Sequence, residues 1–378
     1  MKKIVALTLS LSLSLSFLRA DYWTQKANFS GSAREGPAGF VIGTKAYLGT
    51  GYIGPCLNDF WEWDQTTNIW TQKATFPGVV RNAAFGFAIG NKGYLGTGTS
   101  CGGGTYASDF YEYDPSSNNW TQKANYGGGA MGYAAGFVIG SKAYFGTGTD
   151  ASYPILRNDF WEYDPATDVW TQKANFGGTA RIYAIGFSIG SAGYIGTGQD
   201  NSNLSLQDFW EYNPVSNSWL QKANLAGPAK NWAAAFAIGV NGYIGTGRTG
   251  SVNTNDFWQY NQLTNAWVQK AGFGGVARND AFGFSIGTKG YIGLGSNGNY
   301  LNDLWEYNPD STTSVEKIRN TKFQFSIAPN PVKELLIIDY SLNGNEKIEI
   351  TITDVEGKKV FETQLQTKTL NFKLQTSN

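Results

Sequence analysis

The sequence predicts an all-β protein built from six copies of one four-stranded unit, and three observations support this. Aromatic residues make up 15% of the chain and glycines number 48, a composition typical of many short strands joined by tight turns. Four short motifs recur in a fixed order at intervals of roughly 50 residues. Turn residues follow each motif, so each motif is expected to be one strand.

The strands of each unit are called a to d, in chain order. Strand a carries Phe and Ile two residues apart, strand b has a tyrosine before G-[TL]-G, strand c reads D-[FL]-[WY]-[EQ]-[YW], and strand d reads W-[TLV]-Q-K-A. The tyrosines of strand b are Tyr47, Tyr94, Tyr144, Tyr194, Tyr243 and Tyr291. The tryptophans of strand d are Trp23, Trp70, Trp120, Trp170, Trp219 and Trp267. Four strands in roughly 40–50 residues predict the blade of a β-propeller.

The two ends of the array predict how the ring of blades closes. The chain enters with a strand d at Asp21–Ala27 that no other strand precedes, and the last unit ends with a strand c at Asn302–Pro309 that no strand d follows. These fragments complete each other. We therefore expect six blades, with the sixth built from the C-terminal a, b and c and the N-terminal d. A ring closed in this way leaves no open sheet edge.

This pattern resembles a kelch-type β-propeller, in which strand b ends in glycines, strand c carries a tyrosine and a tryptophan opens strand d. The resemblance extends over residues 21–311. It departs from the kelch pattern at the double glycine, which here reads Gly49-Thr50-Gly51 in the first unit and Gly293-Leu294-Gly295 in the last.

The connections between strands divide into uniform and variable ones. The a–b turns, such as Gly43-Thr44-Lys45, and the c–d turns, such as Asp114–Asn118, are short and alike, whereas the b–c and d–a loops differ between units. In an up-and-down blade the b–c and d–a loops lie on one face. Since binding usually occurs at variable loops on a rigid scaffold, this face is the expected binding surface.

The residues just before strand a are expected to lie nearest the central channel on that face. One position reads Arg34, Arg81, Met131, Arg181, Lys230 and Arg278. The position two residues later reads Gly36, Ala83, Tyr133, Tyr183, Trp232 and Asp280. The candidate ligand-binding residues are Arg34, Arg81, Arg181, Arg278, Tyr133, Tyr183, Trp232 and Asp280.

Guanidinium groups beside aromatic rings suit a ligand with carboxylate or hydroxyl groups, such as an acidic sugar or a peptide acid. The alternative is structural, because an arginine that occupies four of six units is more often scaffold, paired with a loop carboxylate. The irregular residues Tyr133, Tyr183 and Trp232, with Asp280, are then the better candidates for a specific contact.

No catalytic, metal or cofactor site is predicted. The acids of strand c, such as Asp59 and Glu62, recur through the units and are expected to make turn hydrogen bonds and to pair with the lysine of strand d. The chain has no histidine, which removes the commonest general base and metal ligand. Its 29 basic and 29 acidic residues argue against nucleic-acid binding.

Residues 1–20 are typical of a secretory signal, with Lys2 and Lys3 before an apolar run and cleavage expected after Ala20. The run is shorter than the roughly 20 residues of a membrane-spanning helix, so no transmembrane anchor is expected. The only cysteines, Cys56 and Cys101, fall in the b–c loops of successive units. A secreted protein permits a disulfide between them, and two free thiols are the alternative.

The composition changes after the propeller region. Residues 312–320 are interpreted as a linker and residues 321–378 as a small β-sandwich-like domain. Its motif Pro329–Val332, followed by an apolar strand and then by Ile350–Val360, resembles the C-terminal sorting domain of the type IX secretion system of Bacteroidetes. An independent immunoglobulin-like stalk is the alternative. Such sorting domains continue through a G-x-Y strand to a basic end, whereas this chain ends at Gln375–Asn378, so the domain is expected to be truncated.

The resemblance to a sorting domain implies handling by the type IX machinery and a location outside a Gram-negative cell or on its surface. The leading functional hypothesis is a non-catalytic propeller that binds a glycan or an extracellular protein through the b–c and d–a loops. The chain also resembles the sialic-acid mutarotases (N-acetylneuraminate epimerases), which are kelch propellers. That alternative implies functional roles for Arg81, Arg181, Arg278, Glu35 and Asp280. A structural or adhesion component of the extracellular layer is a third hypothesis.

Overall fold

The computed structural model describes residues 21–101 and 104–309, together with the backbone of five strands beyond residue 322. The predicted signal at residues 1–20, the linker at 312–320 and the motif Pro329–Val332 lie outside the described residues. The chain divides into one compact unit that covers residues 20–310 and a separate C-terminal unit that begins at Ser311.

The first unit contains six four-stranded antiparallel sheets, which confirms the predicted six-bladed propeller. The first strand of the chain is β1 (Tyr22–Gln25), which belongs to the last blade. Blade 1 comprises β2 (Ala38–Ile42), β3 (Lys45–Gly49), β4 (Phe60–Asp64) and β5 (Ile69–Lys73). Blade 2 comprises β6 (Phe85–Ile89), β7 (Lys92–Gly96), β8 (Phe110–Asp114) and β9 (Asn119–Lys123). Blade 3 comprises β10 (Ala135–Ile139), β11 (Lys142–Gly146), β12 (Phe160–Asp164) and β13 (Val169–Gln172).

The other three blades repeat this order. Blade 4 comprises β14 (Ile185–Ile189), β15 (Ala192–Gly196), β16 (Phe209–Asn213) and β17 (Ser218–Gln221). Blade 5 comprises β18 (Ala234–Ile238), β19 (Asn241–Gly245), β22 (Phe257–Asn261) and β23 (Ala266–Gln269), and its b–c loop holds a hairpin of β20 (Arg248–Thr249) and β21 (Val252–Asn253). Blade 6 comprises β24 (Phe282–Ile286), β25 (Lys289–Gly293), β26 (Leu304–Asn308) and β1.

The N-terminal strand closes the ring as predicted. Strand β1 runs antiparallel to β26, with Trp23 opposite Tyr307 and Gln25 opposite Trp305. Asp21 strengthens this seam, because its carboxylate accepts hydrogen bonds from the Tyr307 hydroxyl at 3.0 Å and from the backbone N–H of Ala271 in blade 5 at 2.8 Å.

Side-chain hydrogen bonds of the same kind join the other blades. An Asn or Asp in each c–d turn accepts the backbone N–H of the alanine at the end of the preceding blade, as Asn118 does from Ala74 at 2.9 Å. The other acceptors are Asn68, Asp168, Asn217 and Asn265. All five have positive φ, between 48° and 57°, a conformation that Asn and Asp tolerate better than most residues. Asp21 takes their place at the seam, since the last unit has no c–d turn of its own.

Aromatic residues fill the space between blades. Tyr163 of β12 is fully buried and packs against Phe110 of the preceding blade. The tryptophans of strand d also pack between blades, as Trp170 does against Phe110 of the preceding blade. Trp170 is only half-buried, and its indole N–H donates to the carbonyl of Ala124 in the preceding blade at 3.1 Å.

The predicted cross-strand pairing of lysine and glutamate is confirmed. Lys73 of strand d lies 3.4 Å from Glu62 of strand c, and Lys173 lies 3.3 Å from Glu162 in the same relation. Lys45 contacts Glu62 from the other side at 2.5 Å. The repeated glutamates are therefore occupied within their own sheets.

The b–c and d–a loops lie side by side on one face, also as predicted. Isolated β-bridges join Glu35 to Tyr52 within blade 1, and Leu57 of blade 1 to Arg81 of blade 2. A disulfide between Cys56 and Cys101, whose Cα atoms are 5.4 Å apart, links the b–c loops of these two blades.

Buried arginines hold this face together. Arg181 is 0% exposed and binds both carboxylate oxygens of Asp208 at 2.6 Å. Its guanidinium also donates to the carbonyl of Thr197 and lies 4.7 Å from the centre of the Phe176 ring. The indole N–H of Trp210 donates to the same carboxylate at 2.8 Å. We call this arrangement the arginine clamp, because it ties the d–a loop to the start of strand c.

The clamp recurs in other blades. It joins Arg34 to Asp59, Arg81 to Asp109 and Arg278 to Asp303. Burial alone would raise the pKa of Asp208, but the Arg181 guanidinium outweighs burial and holds that pKa below its usual value. Asp208 is thus ionised at neutral pH.

Two blades build the clamp from other residues. In blade 5, the buried Lys230 lies 2.6 Å from Asp256. In blade 3, Met131 occupies the arginine position, and Arg157 from the b–c loop reaches Asp159 instead, at 2.8 and 2.6 Å. The sequence columns missed Arg157 because it comes from a different loop. Its signal was Met131, the one position of the arginine column without a basic residue, together with an arginine two residues before Asp159.

The C-terminal unit is also composed of β-strands. Three of them, β27 (Phe323–Ala328), β28 (Leu335–Leu342) and β31 (Thr369–Gln375), form one antiparallel sheet with β28 in the middle. The other two, β29 (Ile348–Thr353) and β30 (Lys359–Leu365), form an antiparallel pair. The chain is therefore all-β throughout the described residues.

The disulfide predicts the result of a thiol titration. The denatured, unreduced protein should contain no free thiol, and reduction should release two. Replacing Cys56 and Cys101 by serine should lower the free energy of unfolding by roughly 2–4 kcal/mol, because an open loop gains entropy in the unfolded chain. Two reactive thiols before reduction would contradict the bridge.

The arginine clamp predicts that Arg181→Met destabilises the fold. The substitution leaves the Asp208 carboxylate desolvated without its cation, at a cost of about 3 kcal/mol in urea unfolding. The double variant with Asp208→Asn removes the orphaned charge and should recover part of that loss. A stability of Arg181→Met within roughly 0.5 kcal/mol of the parent would argue against a structural role.

Candidate functional site

Six residues, one from each blade, surround the mouth of the central channel on the loop face. They are Gly36, Ala83, Tyr133, Tyr183, Trp232 and Asp280. All six have a left-handed backbone, with φ between 52° and 61°. This conformation is uncommon for bulky residues, and such residues persist where the surrounding structure holds them.

Backbone hydrogen bonds between blades hold this strained ring. The N–H of Gly36 donates to the carbonyl of Asp280 at 3.1 Å, and the N–H of Asp280 donates to the carbonyl of Trp232 at 3.0 Å. Similar bonds join Trp232 to Tyr183 and Tyr133 to Ala83. The ring therefore fixes the points from which the side chains at the mouth project.

The channel behind the ring is a cavity of about 470 Å³, lined by strand a of every blade. This volume lies within the range of small-molecule binding sites. The mouth is accordingly the place where irregular side chains meet a concave surface.

Aromatic residues occupy one side of the mouth. Tyr183 of blade 4 lies between Tyr133 and Trp232, with ring centres 4.9 and 4.3 Å away in edge-to-face arrangements. We call these three residues the aromatic crescent. The guanidinium of Arg248, from the b–c loop of blade 5, lies 5.1 Å from the centre of the Trp232 ring. Burial raises the pKa of Tyr133 to about 12, so its phenol remains a hydrogen-bond donor at neutral pH.

Two acids occupy the opposite side, on blades 6 and 1. Gly36 leaves room for the Asp280 carboxylate, since a Cβ at Gly36 would lie 3.1 Å from its Oδ2 atom. Burial, helped by the nearby Glu35 and opposed by Arg248, raises the pKa of Asp280 to about 7. Burial also raises the pKa of Glu35, against the effects of Ser296 and Arg248. Glu35 and Asp280 are called the acidic pair.

Several buried polar atoms beside the ring have no hydrogen-bond partner. They are the Oδ1 atoms of Asn82, Asn231 and Asn279 and the indole Nε1 of Trp232. Asn231 is 6% exposed and Asn279 2% exposed. An unpaired buried polar group costs about 1–3 kcal/mol, so such atoms indicate water or a ligand. The three asparagines occupy the repeat position that Glu35 has in blade 1, between the two candidate columns.

The structure separates the predicted ligand-binding residues into two groups. Tyr133, Tyr183, Trp232 and Asp280 come together at the mouth. The four arginines of the clamps are fully buried and bind strand c carboxylates, which favours their structural alternative. The residues implied by the mutarotase resemblance divide in the same way, with Glu35 and Asp280 at the mouth and Arg81, Arg181 and Arg278 in clamps.

The chemistry of the mouth follows from these groups. Its carboxylates and amide oxygens accept hydrogen bonds, the tyrosine hydroxyls and the Trp232 indole donate them, and the aromatic rings offer apolar surface. Among the residues that the structure describes, no group of three or more His, Cys, Asp or Glu side chains could hold a metal ion. The sequence did not predict Arg248 as a site residue, because the b–c loops differ between units and carry no repeated position.

The raised pKa of Asp280 predicts a pH-dependent stability. Because the folded-state pKa lies above the usual value of about 3.9, this group favours the folded state below pH 4 and loses that contribution as pH rises towards 7. Asp280→Asn should therefore become more stable relative to the parent as pH rises from 4.5 to 8. The measurement is denaturant unfolding at both pH values, and a difference that stays constant would contradict the assigned shift.

Residues 326–378 match the family model described as a secretion system C-terminal sorting domain. This match confirms the resemblance of the C-terminal region to a sorting domain. It shows that the protein is handled by the type IX secretion system and is delivered to the cell surface or the outside. Among the described residues, no helix has the length and apolarity needed to cross a membrane.

No curated protein matches this sequence. Among solved structures, the one described as the structure of YjhT is similar, with a TM-score of 0.62 and 15% sequence identity. The similarity covers 75% of this chain and 96% of that chain. At this identity the likeness concerns the fold, and it supports the propeller. The chain thus combines a six-bladed β-propeller with a secretion system C-terminal sorting domain.

Proposed function

We propose that this exported protein binds a glycan at the mouth of its propeller channel, without catalysing a reaction on it. The observation that carries the proposal is the composition of the mouth. The aromatic crescent and Asp280 line one concave surface, Glu35 acts on Asp280 from nearby, and buried polar atoms beside them lack partners.

A sugar can contact the aromatic groups of the mouth with one face of its ring and the polar groups with its hydroxyls. The apolar C–H face of a pyranose can lie on an aromatic ring, as an apolar surface does on Trp or Tyr. Its hydroxyls can donate to the acidic pair and to the unpartnered amide oxygens, and can accept from the indole of Trp232. The ring of backbone hydrogen bonds holds these groups in place before a ligand arrives, which lowers the entropic cost of binding.

The size of the site favours a glycan end over a protein surface. A cavity of about 470 Å³ accommodates one or two sugar rings, whereas a stable protein interface needs an area of roughly 800 Å² on each partner. The loops around the mouth carry exposed apolar side chains, such as Tyr153 and Ile155, and an extracellular protein is therefore the second partner class.

A mutarotase-type enzyme is the second candidate function, and the acidic pair is the observation that favours it. Glu35 and Asp280 both have raised pKa values, as acid–base groups near neutrality do. The arginines implied by that resemblance lie in clamps. NMR of anomer exchange with acidic sugars tests this candidate, and acceleration by the protein that is lost in Glu35→Gln would favour the enzyme over the binding protein. A structural component of the extracellular layer would show neither exchange nor glycan binding.

Trp232→Ala should weaken glycan binding about 10-fold or more, because it removes the largest ring of the crescent and one unpartnered donor. Ala83 has φ of 53° in the equivalent position of blade 2, so an alanine suits this backbone. Glycan-array screening followed by calorimetry measures the effect.

Leu263→Ala is the matched control, because it removes an exposed apolar side chain from the c–d turn of the same blade, on the opposite face from the mouth. It should leave glycan affinity unchanged. Equal affinities for the parent and Trp232→Ala would rule out the mouth as the binding site.

A further inference from the structure

Most of the unpartnered polar atoms beside the ring are hydrogen-bond acceptors. They are the Oδ1 atoms of Asn82, Asn231 and Asn279, and the two carboxylates of the acidic pair are further acceptors nearby. The unpartnered donor beside them is the indole N–H of Trp232. A ligand that satisfies this set must be rich in donors.

The acidic pair also lacks the cation that similar carboxylates have elsewhere in the chain. The strand c carboxylates of Asp59, Asp208 and Asp303 each lie within 2.6 Å of an arginine nitrogen. Among the described residues, no lysine or arginine nitrogen lies within 4.0 Å of the carboxylates of Glu35 or Asp280.

Arg248 is the basic side chain of the mouth, and it is held by other groups. Its guanidinium lies over the ring of Trp232, and its Nε donates to Asn253 at 3.1 Å. Glu35 and Asp280 therefore bring two carboxylates together against this single cation, in a region that protein surrounds. Two ionised carboxylates exceed the charge of Arg248 by one, so one further positive charge beside them is stabilised.

We propose that the glycan bound at the mouth carries a positively charged amine, which lies between the acidic pair and the aromatic crescent. This inference rests on the proposed function. The ammonium group donates hydrogen bonds to the carboxylates, which are stronger than those from a neutral hydroxyl. Its charge is also attracted to the faces of the neighbouring aromatic rings.

The proposal distinguishes among sugar classes. N-acetylation removes the charge and one donor, so an N-acetylated sugar loses the contact with the acidic pair. A uronic acid brings a third carboxylate towards Glu35 and Asp280 and is repelled. The preferred ligand is therefore an amino sugar with a free amine.

Calorimetry of the full chain at neutral pH tests the proposal with three probes: a β-1,4-linked glucosamine tetrasaccharide, its fully N-acetylated form and a uronic-acid tetrasaccharide. The free-amine form should bind at least about 10-fold more tightly than the N-acetylated form, and the uronic acid should bind most weakly. Asp280→Asn should bring the affinity of the free-amine form down to that of the N-acetylated form, while the latter stays within about twofold. Asp200→Asn, which removes one charge from a b–c loop, should preserve the preference.

The outcomes separate this inference from the proposed function. Equal or tighter binding of the N-acetylated or uronic-acid probe, with loss of that binding in Trp232→Ala, would overturn the amine and leave glycan binding at the mouth intact. A free-amine preference that survives both Asp280→Asn and Glu35→Gln would also overturn it. Absence of binding to all three probes by the folded protein would overturn the amine, and absence of binding to every glycan of the array would overturn the proposed function as well.

Discussion

The closure of the ring by β1 is the constraint on which the rest of the structure depends. Asp280 of blade 6 and Gly36 of blade 1 meet where the closed ring brings the last blade beside the first, and the N–H of Gly36 donates to the carbonyl of Asp280. Without β1 against β26, the sixth blade would expose an unpaired edge, and the left-handed ring would lose its continuity. The acidic pair is assembled at this junction of blades 6 and 1, so the site depends on the closure of the ring.

The propeller separates its repeated residues from its irregular ones. Repeated residues carry the support: arginine clamps hold the loop face, and the Asn or Asp of each c–d turn bonds to the preceding blade. Irregular residues collect at the mouth, where each blade contributes a different side chain to the same backbone position. The side chain at this position can differ from blade to blade because neighbouring residues of the clamped, closed ring, rather than the side chain itself, hold the left-handed backbone conformation.

The mouth is locally charged although the chain is neutral overall. With 29 basic and 29 acidic residues, the protein has no net field to attract an ion over long distances. The acidic pair acts at short range instead. Burial raises the pKa of Asp280, and the same low-dielectric surroundings strengthen any hydrogen bond that a donor makes to its carboxyl group. Export by the sorting domain brings this mouth to the extracellular side, where glycans are available.

The amino-acid sequence by itself determined the strands, their order, the number of blades and the closure at β1, because these follow from local period and from the two incomplete ends of the array. It also determined pairs set by strand register, such as Lys73 with Glu62. Only the tertiary structure decided that Arg181 is buried in a clamp while Trp232 lines the channel, although both precede strand a. It also placed Arg157 in the position of a missing arginine and brought Glu35 and Asp280 together from opposite ends of the propeller sequence. The physical reason is that side-chain direction and desolvation depend on neighbours in space, which a repeat along the chain does not specify.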